Sequence, residues 1–168
     1  MSDETEPNSP PPDPGESPGD EQGGSSGSGS TLHEVRLERV VLYDSADRQH
    51  LVLRERAGDR SFPIVIGNFE AHEIQRVVSG VESERPLTHR LLVDTLRSLG
   101  AQLVSVNIVA LARGTFYARL DLEGPDGTLL EVDARPSDAI ALAMRTACPI
   151  RVAESVLRNA ASPADGEA

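Results

Sequence analysis

The sequence has no lysine, no tryptophan, one cysteine, and only three phenylalanines and two tyrosines in 168 residues. Each scarcity excludes something. A lone Cys148 cannot form a disulfide within the chain, and its setting in "TACPI" suits a small buried hydrophobe better than a catalytic thiol. So few aromatic rings give bases little to stack on, so any contact with nucleic acid is expected to be weak and directed at the backbone. No apolar run approaches the ~18 residues of a membrane span, and the N-terminus shows neither the basic segment nor the apolar core of a secretory signal. The protein is therefore expected in the cytoplasm with no membrane partner. No P-loop, HExxH helix, Cys/His zinc spacing or G-x-S-x-G elbow occurs. The 16 basic residues are all arginine, a uniform choice that fits a GC-rich coding bias.

What is present divides sharply. Residues 1–31 hold six Pro, six Gly, seven Ser and seven acids, with no large aliphatic residue beyond Met1. Such a segment cannot bury enough surface to offset the entropy of ordering, and it reads as a disordered acidic tail. Residues 159–168 read as a second, short tail. One domain remains, over residues 32–158, long enough to bury a core without metal or disulfide support. The tails take nine of the 27 acids, leaving 18 against 16 arginines, so the domain is near neutral and lacks the basic stripe of a dedicated nucleic-acid binder.

From Leu32 the pattern turns to strand. "LHEVRLERVVLYD" and "HLVLRER" show a partial period of two, "AGD" supplies a turn, and "RSFPIVIG" adds a strand in which Pro63, lacking an N–H, belongs at an edge or bulge. "AQLVSVNIVALARGTFYARLDLEGPDGTLLEVDA" gives three more, turned at "ARG" and "GPDG". Two helices lie between these groups. Asn68 is the expected N-cap of the first and Gly80 its stop, with Ala71, Ile74, Val77 and Val78 on one face. The second, Thr88 to Leu99, groups Leu91, Leu92, Thr95, Leu96 and Leu99. A third follows Asp133 and is apolar nearly all round. Its Leu142 projects from the far side of the Ile140/Met144 stripe, which predicts a second cover and hence a homodimer or higher homo-oligomer. The expected fold is α+β, a mixed, mainly antiparallel sheet with about three main helices packed on it.

Two of the helix entrances repeat Arg-Pro, in "RPLTHRLL" from Arg85 and "DARPSDAIALA" from Asp133. Ordinary architecture explains part of this, since Pro suits a first turn, Thr88 and Ser137 can cap, and Asp138 complements the positive helix end. An arginine there raises an already positive potential, which stability alone does not call for. Uncapped N–H groups, the guanidiniums of Arg85 and Arg135 and the hydroxyls of Thr88 and Ser137 suit a phosphate clamp. Carboxylates among Glu70, Asp133 and Asp138 could hold a hydrated divalent metal ion for phosphodiester cleavage, with His89 as acid or base. At least one of the two guanidiniums is expected to bond a carboxylate of this set, beside a solvent-accessible cleft. The same groups would serve a non-catalytic regulatory or binding module that holds an anionic ligand.

At these residues the sequence resembles the bifunctional nuclease family, the BFN domain of bacteria and plants. "FPIVIGNFEAHEI", "RPLTHRLL", "GTFYARL" and "VDARPSDAIALAMRTACPI" match its blocks in order, and the resemblance covers roughly Val35 to Val156. It implies a compact α+β domain, an oligomer, and a nuclease of low sequence specificity acting on DNA and RNA. The matching motif positions include Pro63, Gly67, Glu70 and Ala71; Arg85, Pro86, Thr88 and His89; Phe116 and Ala118; Asp133, Arg135, Pro136, Ser137, Asp138 and Ala139. Arg90 departs from the Asp usual after the Thr-His pair, on the face expected to meet solvent. Some relatives append a C-terminal interaction module, for which the residues after Arg158 leave no room.

Overall fold

The structure, a computed structural model, describes residues 31–43 and 47–163, with side chains to residue 161. The expected tail at 1–31 lies outside the described residues but for Thr31. β1 (Leu32–Val41), β2 (Arg48–Glu55) and β3 (Arg60–Gly67) form one meander, followed by α1 (Asn68–Val78) and α2 (Thr88–Ser98). A second meander, β4 (Gln102–Ala112), β5 (Thr115–Glu123) and β6 (Leu129–Ala134), leads to α3 (Pro136–Thr146), β7 (Ile150–Ala153), α4 (Glu154–Ala160) and the two-residue β8 (Ser162–Pro163). The protein is α+β, with one eight-stranded sheet in the order β6-β5-β4-β7-β1-β2-β3-β8. β7 joins the meanders, running parallel to β4 and antiparallel to β1. Its four residues are too few to show a period, so β7, α4 and β8 are additions to the sequence pattern. Ordered structure also runs to residue 163, past the expected tail boundary at Asn159.

Register explains the core. Cross-strand pairs such as Leu53 with Phe62, Val106 with Leu120 and Ile108 with Val152 put the buried residues on one face. In a flat sheet, strands five places apart stand roughly 24 Å apart. Yet the Phe62 ring of β3 stacks on the Phe116 ring of β5 with centroids 5.8 Å apart. The sheet is therefore curled, and its two meanders approach each other across the concave face. Pro63 is exposed on β3, where β8 pairs only with Arg60 and Ser61, so the missing N–H falls on an open edge.

α1 lies over β2 and β3, α3 over β4 and β5, and α3 also packs on α1 and α2. α3 is thus covered on both sides by its own chain. Leu142 is 1% exposed and belongs to the core, so the second cover expected for α3 comes from its own chain. α2 also turns differently from its leucine pattern. His89, Val93 and Leu96, at i, i+4 and i+7, face inward, while Leu91, Leu92 and Leu99 are exposed at 56%, 41% and 67%. Packing against α3 fixes that rotation and outweighs the count of leucines. Val78, the last residue of α1, is exposed as well. No helix among the described residues is long and apolar enough to cross a membrane.

The β4–β5 connection is a two-residue hairpin in which Arg113 (φ 52°) and Gly114 (φ 76°) are both left-handed. Such a turn favours Asn-Gly, and arginine there costs about 1 kcal/mol. Arg113→Asn is expected to raise stability by roughly that amount in urea unfolding; an unchanged midpoint would show no such strain.

Candidate active site

Three helix starts meet beside the cleft. The N-cap of α1 is Gly67 rather than the expected Asn68, whose Oδ1 instead accepts a 2.5 Å bond from Gln49 Nε2 and ties α1 to β2. Glu70, in the first turn, lays its carboxylate over Gly67, where an added Cβ would stand 2.5 Å from Oε2. α2 begins after Leu87 and α3 after Arg135, neither with a side-chain cap, so Thr88 and Ser137 lie inside their helices and do not cap them.

Arg135 is the centre. Its Nε donates to Asp138 Oδ2 at 2.7 Å and its Nη2 to Asp138 Oδ1 at 3.0 Å, while Nη1 donates to Glu70 Oε1 at 2.9 Å. Three of the five guanidinium N–H donors are used, and two remain on a side chain that is 66% exposed. The chain of charge continues through His89, whose Nε2 lies 3.1 Å from Asp138 Oδ1, to buried Glu73, 3.8 Å from His89 Nδ1. Arg145 closes it with two bonds to Glu73 Oε1, one of them 3.1 Å from Nε. The expected bond between an entrance arginine and a carboxylate is thus made by Arg135.

Glu70, Arg135 and Ser137 line an open cleft of about 740 Å3 between β3, the β4–β5 hairpin and the start of α3. His89 and Asp138 stand directly behind that lining. Other candidates are placed elsewhere. Arg85 is exposed in the α1–α2 loop with no ion pair among the described residues, its carbonyl accepting a 2.8 Å bond from Ser83. Thr88 is exposed and makes no bond to the cluster. Asp133, exposed on β6, pairs in register with Arg119 on the sheet face away from the core, and Arg119 bonds Asp121 and Glu131 instead. Arg90 is held by Asp94 at 3.0 Å and by Glu82 at 3.4 Å.

The sequence reading missed Glu73 and Arg145. Glu73 sits three residues after Glu70 and is flanked by buried Ile74, a spacing that places both acids on one side of α1. That spacing was the available signal.

Burial alone would push the Asp138 carboxyl up, but hydrogen bonds from Arg135 and His89, with their charges, reverse this and hold it below the ordinary aspartate value. Asp138 is therefore ionised at neutral pH. Bonding to Asp138 and then to Glu70 raises Arg135, which stays charged. At the far end of the sheet, bonds from Arg60 first of all hold Glu55 and Glu154 down in the same way. A carboxyl depressed on folding stabilises above its unfolded value, and that contribution is lost as pH falls through the folded value. The melting temperature is expected to drop as pH is lowered from about 5 to about 3, and to drop less in Arg60→Met. Equal slopes in the two proteins would contradict this.

Among the described residues, no three His, Cys, Asp or Glu side chains converge as a metal-ligand set. The reason is visible in the pairing: Glu70 and Asp138 share Arg135, and Glu73 holds Arg145. So arranged, these carboxylates do not fit a resident divalent ion.

Curled sheet, uncapped helix starts and a half-free arginine together define a small α+β domain with an open cleft lined by two arginines, Arg48 and Arg135, and two acids, Asp47 and Glu70. The chain belongs to the bifunctional nuclease domain family, whose model matches residues 51–165. It is 44% identical over 127 residues to an uncharacterized protein of Mycobacterium tuberculosis, covering 76% of this chain and 75% of that one. It is 26% identical over 121 residues to Bifunctional nuclease 1 of Oryza sativa subsp. indica, covering 70% of this chain but 37% of the rice protein. Bifunctional nuclease 2 of Arabidopsis thaliana is 26% identical over 92 residues, covering 54% of this chain and 28% of the plant protein.

Proposed function

We propose that this protein hydrolyses phosphodiester bonds in DNA and RNA with low sequence specificity, at the Glu70–Arg135–Asp138–His89 cluster. The observation that carries this is Arg135: three carboxylate bonds fix its guanidinium at the cleft and two N–H donors are left for a phosphate. Preorganised donors of this kind stabilise charge developing on non-bridging oxygens. Glu70 reaches the cleft and accepts a proton from the attacking water; the water oxygen bonds to phosphorus and the ester oxygen leaves, taking a proton from solvent. Asp138 and His89 position Arg135. The phosphate clamp then rests on Arg135 and Ser137, and Arg85, Thr88 and Asp133 have no part in it.

Cleavage of a DNA and an RNA substrate by purified wild type and Glu70→Gln, with and without EDTA, tests this. Glu70→Gln is expected to lower both rates by about 100-fold or more. Equal rates would remove Glu70 from the chemistry, and the EDTA arm reports metal use separately. The second reading, a non-catalytic module holding an anionic ligand, rests on the same two free donors and predicts binding without cleavage. A homo-oligomer belongs to the proposal too. The apolar surface that favours it is Leu91, Leu92 and Leu99 of α2, not Leu142.

A further inference from the structure

Three observations around the cleft are not used by the cluster. Ser137 is only 6% exposed, lines the cleft, and makes no side-chain hydrogen bond to a described residue. Its hydroxyl oxygen is not among the fully buried, unpaired polar atoms of the described residues, so it keeps solvent access in the cleft and is open to a ligand. Arg48, the first residue of β2 and directly opposite Gly67, lines the same cleft, is exposed, and has no ion pair among the described residues. It differs there from Arg135, which is held by Glu70 and Asp138. Phe69, outside the cleft lining itself but between the lining residues Gly67 and Glu70 along the chain, is 90% exposed on the first turn of α1. A phenylalanine in that position contributes almost nothing to the core.

We propose that the cleft takes an unpaired nucleic-acid strand, with a backbone phosphate held by Arg48 and the Ser137 hydroxyl beside Arg135, and a base stacked on Phe69. This rests on the nuclease reading and adds the form of the substrate. A cleft of about 740 Å3 is the size of a small-ligand site and admits a nucleotide or two of single strand, whereas a duplex stays outside its walls. Stacking on a lone aromatic needs a base already free of its partner. The arginine meets the phosphate charge that every sequence presents and the ring stacks on any base, so single-strand preference and low sequence specificity arise from the same residues.

The test is fluorescence anisotropy of the full chain in EDTA, with a labelled thymidine oligonucleotide and its matched duplex at several salt concentrations. Wild type is expected to bind the single strand at least tenfold more tightly than the duplex. Arg48→Ala is expected to weaken single-strand binding and to lower the salt slope by about 0.7, the loss of one phosphate contact. Phe69→Ala should weaken it about fivefold or more with no change in slope. Both side chains are exposed, so both variants are expected to melt as wild type does. Equal affinity for strand and duplex, or wild-type affinity in both variants, overturns the proposal. If cleavage still depends on Arg135 in that case, the nuclease reading stands without this subsite. If wild type neither binds nor cleaves, the nuclease reading itself has failed.

Discussion

Arg135→Ala is expected to lower kcat/KM for DNA and RNA alike by about 100- to 1000-fold, the usual loss when one preorganised donor to a developing oxyanion is removed. Most of the loss should fall on kcat, because a side chain pinned by Glu70 and Asp138 meets the phosphate in place and strengthens its bonds as charge develops. Stability should change little. The guanidinium is 66% exposed, and exposed ion pairs contribute about 1 kcal/mol or less. An activity loss with an unchanged melting curve would therefore separate chemistry from architecture at this helix entrance. Arg135→Lys should not restore the rate, since an ammonium cannot span Asp138 in two bonds and still reach Glu70.

Leu142→Glu should have the largest effect on stability. At 1% exposure among α1, α2 and the sheet, the new carboxylate has no water to meet, and Arg145, one turn on along α3, is already held by Glu73. Loss of the leucine and burial of an unpaired charge together cost about 5 kcal/mol or more, comparable with the whole stability of a small domain. Circular dichroism is expected to show an unfolded or strongly destabilised chain. A variant that stays fully folded and merely loses mass in sedimentation would put Leu142 at a subunit interface after all.

Local pattern carried most of the fold. Six strands, three helices and the turns at Gly114 and Gly127 follow from alternation, helical period and turn chemistry, each of which acts within a few residues. The parts that did not follow depend on distant contacts. β7 is a strand because β4 and β1 leave a gap between the meanders, and four residues cannot advertise that. The rotation of α2 is set by α3, so Val93 is buried and three leucines are not. At the site, the charged helix entrances singled out Glu70, His89, Arg135 and Asp138, which the fold brings into one chain of contacts. Arg85 and Asp133 carry the same chemical signal, but the α1–α2 loop and the outer face of β6 take them away from it. Spacing along the chain cannot tell these cases apart. Buried Glu73 was hidden for the opposite reason, since an acid in an apolar face reads as an error in the pattern until Arg145 is seen beside it.

The central claim is that Arg135 and Asp138 act as one unit in phosphodiester hydrolysis. The most direct measurement is the cleavage rate of one labelled single strand by wild type, Arg135→Ala, Asp138→Asn and the double variant, purified side by side. A shared unit predicts that both single variants lose activity and that the double variant is scarcely slower than Arg135→Ala, because losses within a unit do not add. Equal rates in all four proteins would assign the activity to a contaminant, and multiplicative losses would show that the two residues act independently.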